Sequence, residues 1–252
     1  MAAPVNPMNI VTNLLNSSLG KKFIMAATGF ALFLFVIGHL LGNLQIFLGP
    51  ETLNAYGEFL QSKPALVWTA RIGLLVLVLL HIWSAVKLSV ENKAARPMGY
   101  AGNPTPPVAS YASRTMLMSG LIIAAFIIYH LLHFTAKVPA VNLIKDPETR
   151  DFKTLIAYYP DHPDLFPVER GQDVYRMMVA GFRVRLVSGF YILAMSLLCL
   201  HLSHGVSAMF QSLGLKNRSC GPLIENIAGV AAWVIFLGYV SIPVAVLAGI
   251  VK

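Results

Sequence analysis

Four histidines, His39, His81, His130 and His201, lie on four successive apolar segments, each about 15 residues in from where its segment starts. Ionisable side chains inside a bilayer are costly and mark functional positions. Neutral imidazole is a common axial ligand of haem iron. Four helices of alternating direction with one histidine each make two ligand pairs at two depths, the ligand set of two b haems stacked across a membrane. Covalent c-type attachment is excluded, because no Cys-x-x-Cys-His run occurs. The two cysteines, Cys199 and Cys220, read as free thiols.

Helix rise places the histidines. At 1.5 Å per residue, His39 sits about 24 Å in from Phe23, and His130 about 22 Å in from Thr115 on the same side. His81 and His201 enter from the other side, near Leu66 and Leu186, and end about 22 Å from that face. The pairs are therefore His39 with His130 and His81 with His201, in layers about 15 Å apart. Gly29, Gly73, Gly120 and Gly189 fall 8 to 12 residues from the histidine of their own span, where a missing side chain lets a flat macrocycle approach the backbone. Propionates need cationic partners: Arg71 and Arg183, with Arg185, suit one layer, and Lys21, Lys22 and Arg114 the other. His133 and His204 follow His130 and His201 by three residues on much the same face, and spacing alone does not choose within either couple. Cross-helix bonding or a proton path explains one such histidine better than four at matching depths.

The elements that carry these residues follow from composition. The chain has 252 residues, 56% hydrophobic and 12% charged, against about 25% charged in soluble domains. The expected fold is an all-α membrane protein, a bundle of five transmembrane helices enclosing two stacked b haems. The spans are 23–47, 65–88, 115–137, 186–210 and 223–251, each near the 20 apolar residues a crossing needs. The first apolar run is too long for a cleavable signal peptide. Together they form a single domain over 1–252, with a long periplasmic loop at 138–185. Within that loop, residues 169–181 are expected to form an amphipathic surface helix, because long structureless loops are uncommon. Pro97, Pro104, Pro106 and Pro107 predict an irregular loop between the second and third spans.

The charge of +8 is a topology signal and not a nucleic-acid footprint. Lys21, Lys22, Lys87, Lys93, Arg96, Arg114, Lys216 and Arg218 face only Glu91 and Glu225 on one side, whereas the long loop is nearly balanced. The positive-inside rule puts that basic side, with the N-terminus, in the cytoplasm.

These residues resemble the single-chain, five-helix, diheme cytochrome b anchor of succinate dehydrogenase and fumarate reductase, over nearly the whole chain. The resemblance rests on Gly38-His39-Leu40-Leu41-Gly42-Asn43, Leu80-His81-Ile82-Trp83, Gly120 with Tyr129-His130, and His201-Leu202-Ser203-His204-Gly205 followed by Leu213-Gly214. It implies His130 and His201 as ligands over His133 and His204, through their spacing to Gly120, Gly205 and Gly214. It also implies a bacterial inner-membrane location and two cytoplasmic partners, an FAD flavoprotein and an iron–sulfur subunit. Electrons would reach the His81–His201 haem, then the His39–His130 haem, and meet a quinone, with menaquinone expected.

The chain carries no flavin or iron–sulfur motif, so it does not oxidise succinate alone. Quinone contacts are sought at Glu58, Gln61 and Ser62 on the periplasmic side, or at Ser17 and Ser18 on the cytoplasmic one. One departure stands out: Cys199 occupies the position where some relatives carry a glutamate implicated in proton movement. The alternatives are a diheme anchor of formate dehydrogenase or hydrogenase, or a haem-free membrane transporter. No inverted repeat is evident to favour the transporter, and a complex-III-type cytochrome b would pair histidines about 14 residues apart on one helix, which no span here does.

Overall fold

A computed structural model describes residue 12 and residues 14–95, 111–157 and 171–252. In chain order, α1 (Ser18–Leu44) runs into a 3-10 turn at Gln45–Leu48, followed by α2 (Pro50–Gln61) and α3 (Pro64–Ala94). Next, α4 (Met116–His130) continues as a π turn over Leu131–Thr135. Then come α5 (Val174–Arg183), α6 (Arg185–Ser212) and α7 (Gly221–Leu247). With their terminal turns, α1, α3, α4, α6 and α7 are long and apolar enough to cross a membrane. Their outward residues suit lipid: Leu75, Leu79, Leu186, Val230 and Trp233 are all more than half exposed. Apolar surface this continuous is unusual on soluble monomers.

The helices differ from the expected spans mainly at their ends. The first begins five residues earlier, at Ser18, and α3 runs on through polar residues to Ala94. The last stops at Leu247, where Gly249 with φ +71° allows the backbone to turn. The connection at 49–64 is a helix and not a plain loop. Gly49, at φ +100°, breaks the chain after the 3-10 turn, and Pro50 at the first helical position starts α2. The expected surface helix at 169–181 is α5, displaced toward Arg183. Arg96, Pro97, Pro104, Pro106, Pro107, Pro160, His162, Pro163, Pro167 and Glu169 lie outside the described residues.

Packing divides the chain into two compact units. The first draws on Met1–Phe35, Ile72–Leu121 and Leu200–Ala232. Within it Lys21 is buried and its ammonium lies 2.5 and 2.6 Å from the two carboxylate oxygens of Glu91. Lys21 is therefore committed to a carboxylate and is not the free propionate partner expected of it.

The second unit draws on Val36–Arg71, Ile122–Cys199 and Trp233–Lys252. Its α5 buries Met177, Met178, Gly181 and Phe182, at helical spacing, and exposes Arg176 and Arg183. Burying each large side chain is worth about 1.5–3 kcal/mol. The Asp173 carboxylate caps the helix by accepting from the Arg176 amide at 2.8 Å, worth about 1 kcal/mol. Beneath α5, Phe152 and Leu155 pack on Met177, and Ile156–Ala157 pairs antiparallel with Gly171–Gln172.

Buried Asn54 of α2 ties the two short helices together. Its amide donates to Asp173 Oδ1 at 3.1 Å and its carbonyl accepts from the Tyr175 amide at 2.9 Å. Asn54→Ala strips the Tyr175 N–H and the cap of these partners, and is expected to cost about 1–3 kcal/mol. A lowered thermal midpoint in detergent, with an unchanged midpoint for the exposed control Lys63→Gln, checks it.

Candidate functional site

In the first unit, His81 of α3 and His201 of α6 face each other with ring centroids 6.4 Å apart and planes at 68°. Each ring leans on a neighbouring helix at a glycine. A Cβ on Gly29 would lie 3.1 Å from His81 Cε1, and one on Gly120 would lie 3.2 Å from His201 Cε1. The protein group nearest each missing side chain is thus an imidazole, and the glycine leaves room for the ring. The residue before each glycine holds the ring's Nδ1. Thr28 Oγ1 is 3.2 Å from His81 Nδ1, which also lies 3.1 Å from the Met25 carbonyl oxygen. Ser119 Oγ is 3.4 Å from His201 Nδ1, and His201 is hydrogen-bonded to the Met116 backbone.

The two cradles are the same motif, Met-x-x-Thr/Ser-Gly, at 25–29 and 116–120. Residues 25–41 align with 116–132 without a gap, sharing Phe35/Phe126, Ile37/Ile128, His39/His130, Leu40/Leu131 and Leu41/Leu132. A search for inverted repeats overlooks this direct one, and Thr28 and Ser119 were missed with it. The gapless match was the signal that would have found them.

The second unit holds the other pair. His39 and His130 have centroids 5.8 Å apart and planes at 80°. The Asn43 amide nitrogen lies 3.4 Å from His39 Nδ1 and donates to the His39 carbonyl at 2.6 Å. The Tyr191 hydroxyl stands between two histidines, 3.3 Å from His130 Nδ1 and 3.0 Å from His133 Nδ1. His133 follows His130 across the start of the π turn and is fully buried against Phe134, Phe152 and Gly181. Wider π turns rotate following residues off the α-helical register, so His133 packs into the aromatic core while His130 faces His39. His133 Nε2 has no hydrogen-bond partner. His204, in the first unit, is half-buried within electrostatic reach of Lys216 and Glu225.

A cavity of about 530 Å³ opens beside His39, lined by Gly42, Asn43, Tyr56, Gln61, Trp68 and Arg71 among others. The Arg71 guanidinium lies 5.1 Å from the Trp68 ring. Arg183 does not share this cavity with Arg71, because α5 carries it to a separate one beside Lys145, Arg176 and Lys252. Of the quinone candidates only Gln61 lines the His39 cavity. The Ser62 hydroxyl donates to the Phe59 carbonyl and the Ser17 hydroxyl accepts from the Gly20 amide, so both finish helix ends. Glu58 Oε2 lies instead 3.8 Å from the position of a Cβ on Gly171. A Cβ on Gly73 or Gly189 would meet nothing within 4 Å, so neither cradles a ring as Gly29 and Gly120 do. Cys199 and Cys220 are free.

The centroid separations have a chemical reading. A metal–imidazole bond of about 2 Å, plus about 1 Å from ring nitrogen to ring centre, puts two axial imidazoles about 6 Å apart across one metal ion. Both pairs have that spacing. Metal-ligating histidines hold their other nitrogen in a hydrogen bond that sets tautomer and orientation, as Nδ1 of His81, His201 and His130 is held here. Two opposed imidazoles at this separation fit two-histidine ligation of a haem iron.

Comparison with known proteins finds no matching family model, no matching curated protein and no matching solved structure.

Thr28→Val combined with Ser119→Ala leaves all four imidazoles in place. Were the two couples to hold iron protoporphyrin, the change would weaken its binding at His81–His201 by about 10–100-fold and spare His39–His130, as an optical titration with the added cofactor would read.

Proposed function

We propose that this chain is the diheme cytochrome b anchor of a succinate:quinone oxidoreductase. It would carry electrons between a cytoplasmic iron–sulfur and flavin dehydrogenase and a membrane quinone. The observation that carries the reading is the pair of imidazole couples, His81–His201 and His39–His130, each with ring centroids about 6 Å apart, so that each couple could hold one haem iron. The residues of the resemblance supply the partner and the reaction. The same reading places the chain in a bacterial inner membrane with its N-terminus in the cytoplasm.

Haem supplies one-electron iron chemistry when bound; the chain supplies everything that holds and tunes it. Thr28 and the Met25 carbonyl fix the His81 ring, and Ser119 with the Met116 backbone fixes His201, so Nε2 of each is left for iron. Arg71 is the cation available to a propionate on the cavity beside His39, and Gln61, unlike Asn43, which bonds His39, is an amide there that can meet a quinone carbonyl. The dehydrogenase partner is assigned to the basic side bearing Lys22 near the start of α1, Lys87 and Lys93 near the end of α3, Arg114 before α4 and Arg218 between α6 and α7.

Proton counting orders the Tyr191 bridge. Were His130 to hold a haem iron through Nε2, its Nδ1 would carry the proton and donate to the Tyr191 oxygen. The single phenolic proton would then go to His133 Nδ1, leaving the His133 proton on Nε2. Donation from Nδ1 would make His130 a stronger donor to a haem iron and favour the oxidised state.

Two experiments test this. Reduced-minus-oxidised spectra with pyridine-haemochrome quantitation are expected to give two b haems per chain, and one in each of His39→Ala and His81→Ala. Retention of both haems in both variants would overturn the ligand assignment, and a folded wild-type preparation without haem would overturn the function. In a redox titration, Tyr191→Phe is expected to raise the potential of one haem on the order of tens of millivolts, with the other unchanged.

A further inference from the structure

The second unit carries a separate cavity of about 760 Å³ that the electron-transfer reading leaves without a use. Its position follows from chain connectivity. Lining residue Pro50 stands two residues past the end of the first span at Leu48, Arg183 two before the fourth begins at Arg185, and Lys252 five beyond the last at Leu247. Three membrane-length segments therefore leave the apolar region around this cavity, which puts it at the boundary between hydrocarbon and water.

The lining has two kinds of surface. Leu143, Ile144, Val179 and Val184 form an apolar wall, and Lys145, Arg176, Arg183 and Lys252 supply four cations. Arg176 and Arg183 are seven residues apart, hence on one face of α5. None of the four cations is ion-paired among the described residues. The one lining carboxylate, Asp146, is already engaged, accepting from the Glu148 amide at 3.1 Å and from the Thr149 hydroxyl at 2.9 Å.

We propose that this cavity binds an anionic phospholipid, its phosphate held by Arg176 and Arg183 and an acyl chain laid along the Val179–Val184 wall. Arginine forks suit phosphate oxygens, and basic pockets among membrane helices recognise anionic head groups. A choline lipid would add its own cation to the four already there, which disfavours it. The site does not depend on haem, and it gives Arg183 a role other than the propionate contact its position in the sequence suggests.

The test uses the full chain, purified in detergent, delipidated and examined by native mass spectrometry with dioleoyl phosphatidylglycerol or dioleoyl phosphatidylcholine. One phosphatidylglycerol per chain is expected, retained about fivefold or more over phosphatidylcholine. Arg176→Gln with Arg183→Gln is expected to abolish that preference at unchanged helicity. Lys63→Gln with Lys153→Gln, which removes two exposed charges of the same unit away from the cavity, is expected to keep it. Equal retention of the two lipids, equal loss in both double variants, or displacement by millimolar inorganic phosphate would each overturn the proposal.

Discussion

An imidazole carried into the apolar stretch of a membrane-length helix has two ring nitrogens and no bulk water to satisfy them. Leaving a buried polar group without a partner costs more than a typical hydrogen bond gains, so each ring needs a neighbour built for it. In the first unit the neighbour is a hydroxyl followed by a glycine, Thr28-Gly29 for His81 and Ser119-Gly120 for His201. The glycine admits the ring to 3.1 or 3.2 Å from where a Cβ would stand, and the hydroxyl then meets Nδ1. Much of the local sequence of α1 and α4 follows from that requirement.

The second unit solves the same problem with different chemistry. His130 is held by a phenol, and that phenol is itself packed edge-on against Phe126 and Phe182 with centroids 4.9 and 5.0 Å away. A rigid aromatic core thus takes the place of the serine and threonine. The π turn belongs to this arrangement: it interrupts regular α-helix after His130 and turns His133 into the core. His133 Nε2 is the one buried side-chain nitrogen or oxygen atom, among the described residues, without a hydrogen-bond partner.

Charge is handled by location. Lys21 is buried but paired with Glu91, and Lys216 lies 2.7 Å from Glu225. Among the described residues the cations lining the second unit's other cavity have no such partners, and they stand beside apolar side chains. Positive charge beside apolar surface, at the level where helices leave the apolar region, has the character of an amphiphile's binding surface.

How much of this was legible in the residues is clearest position by position. The five apolar runs and the juxtaposition of His81 with His201 and of His39 with His130 follow from helix rise and alternating direction, quantities that do not depend on packing. The identity of each ring's neighbour did not follow in the same way. Gly29 and Gly120 read as slots for a flat cofactor, but that an imidazole is the protein group nearest each was not legible, because only the facing of α1 on α3 and of α4 on α6 decides what stands opposite a missing side chain. Lys21 read as a free cation until Glu91, seventy residues on, came within 2.5 Å. Arg183 read as a companion of Arg71, but the turn of α5 directs it to another cavity. The 49–64 connection read as a loop because α2 is short and amphipathic, and what holds it is Asn54 gripping α5. Composition, span length and the depth of four histidines were determined by the sequence by itself, since they rest on local hydropathy and 1.5 Å per residue. The second nitrogen of each ring, the π turn and the cavities were decided by tertiary structure, since they rest on which side chains meet across helices.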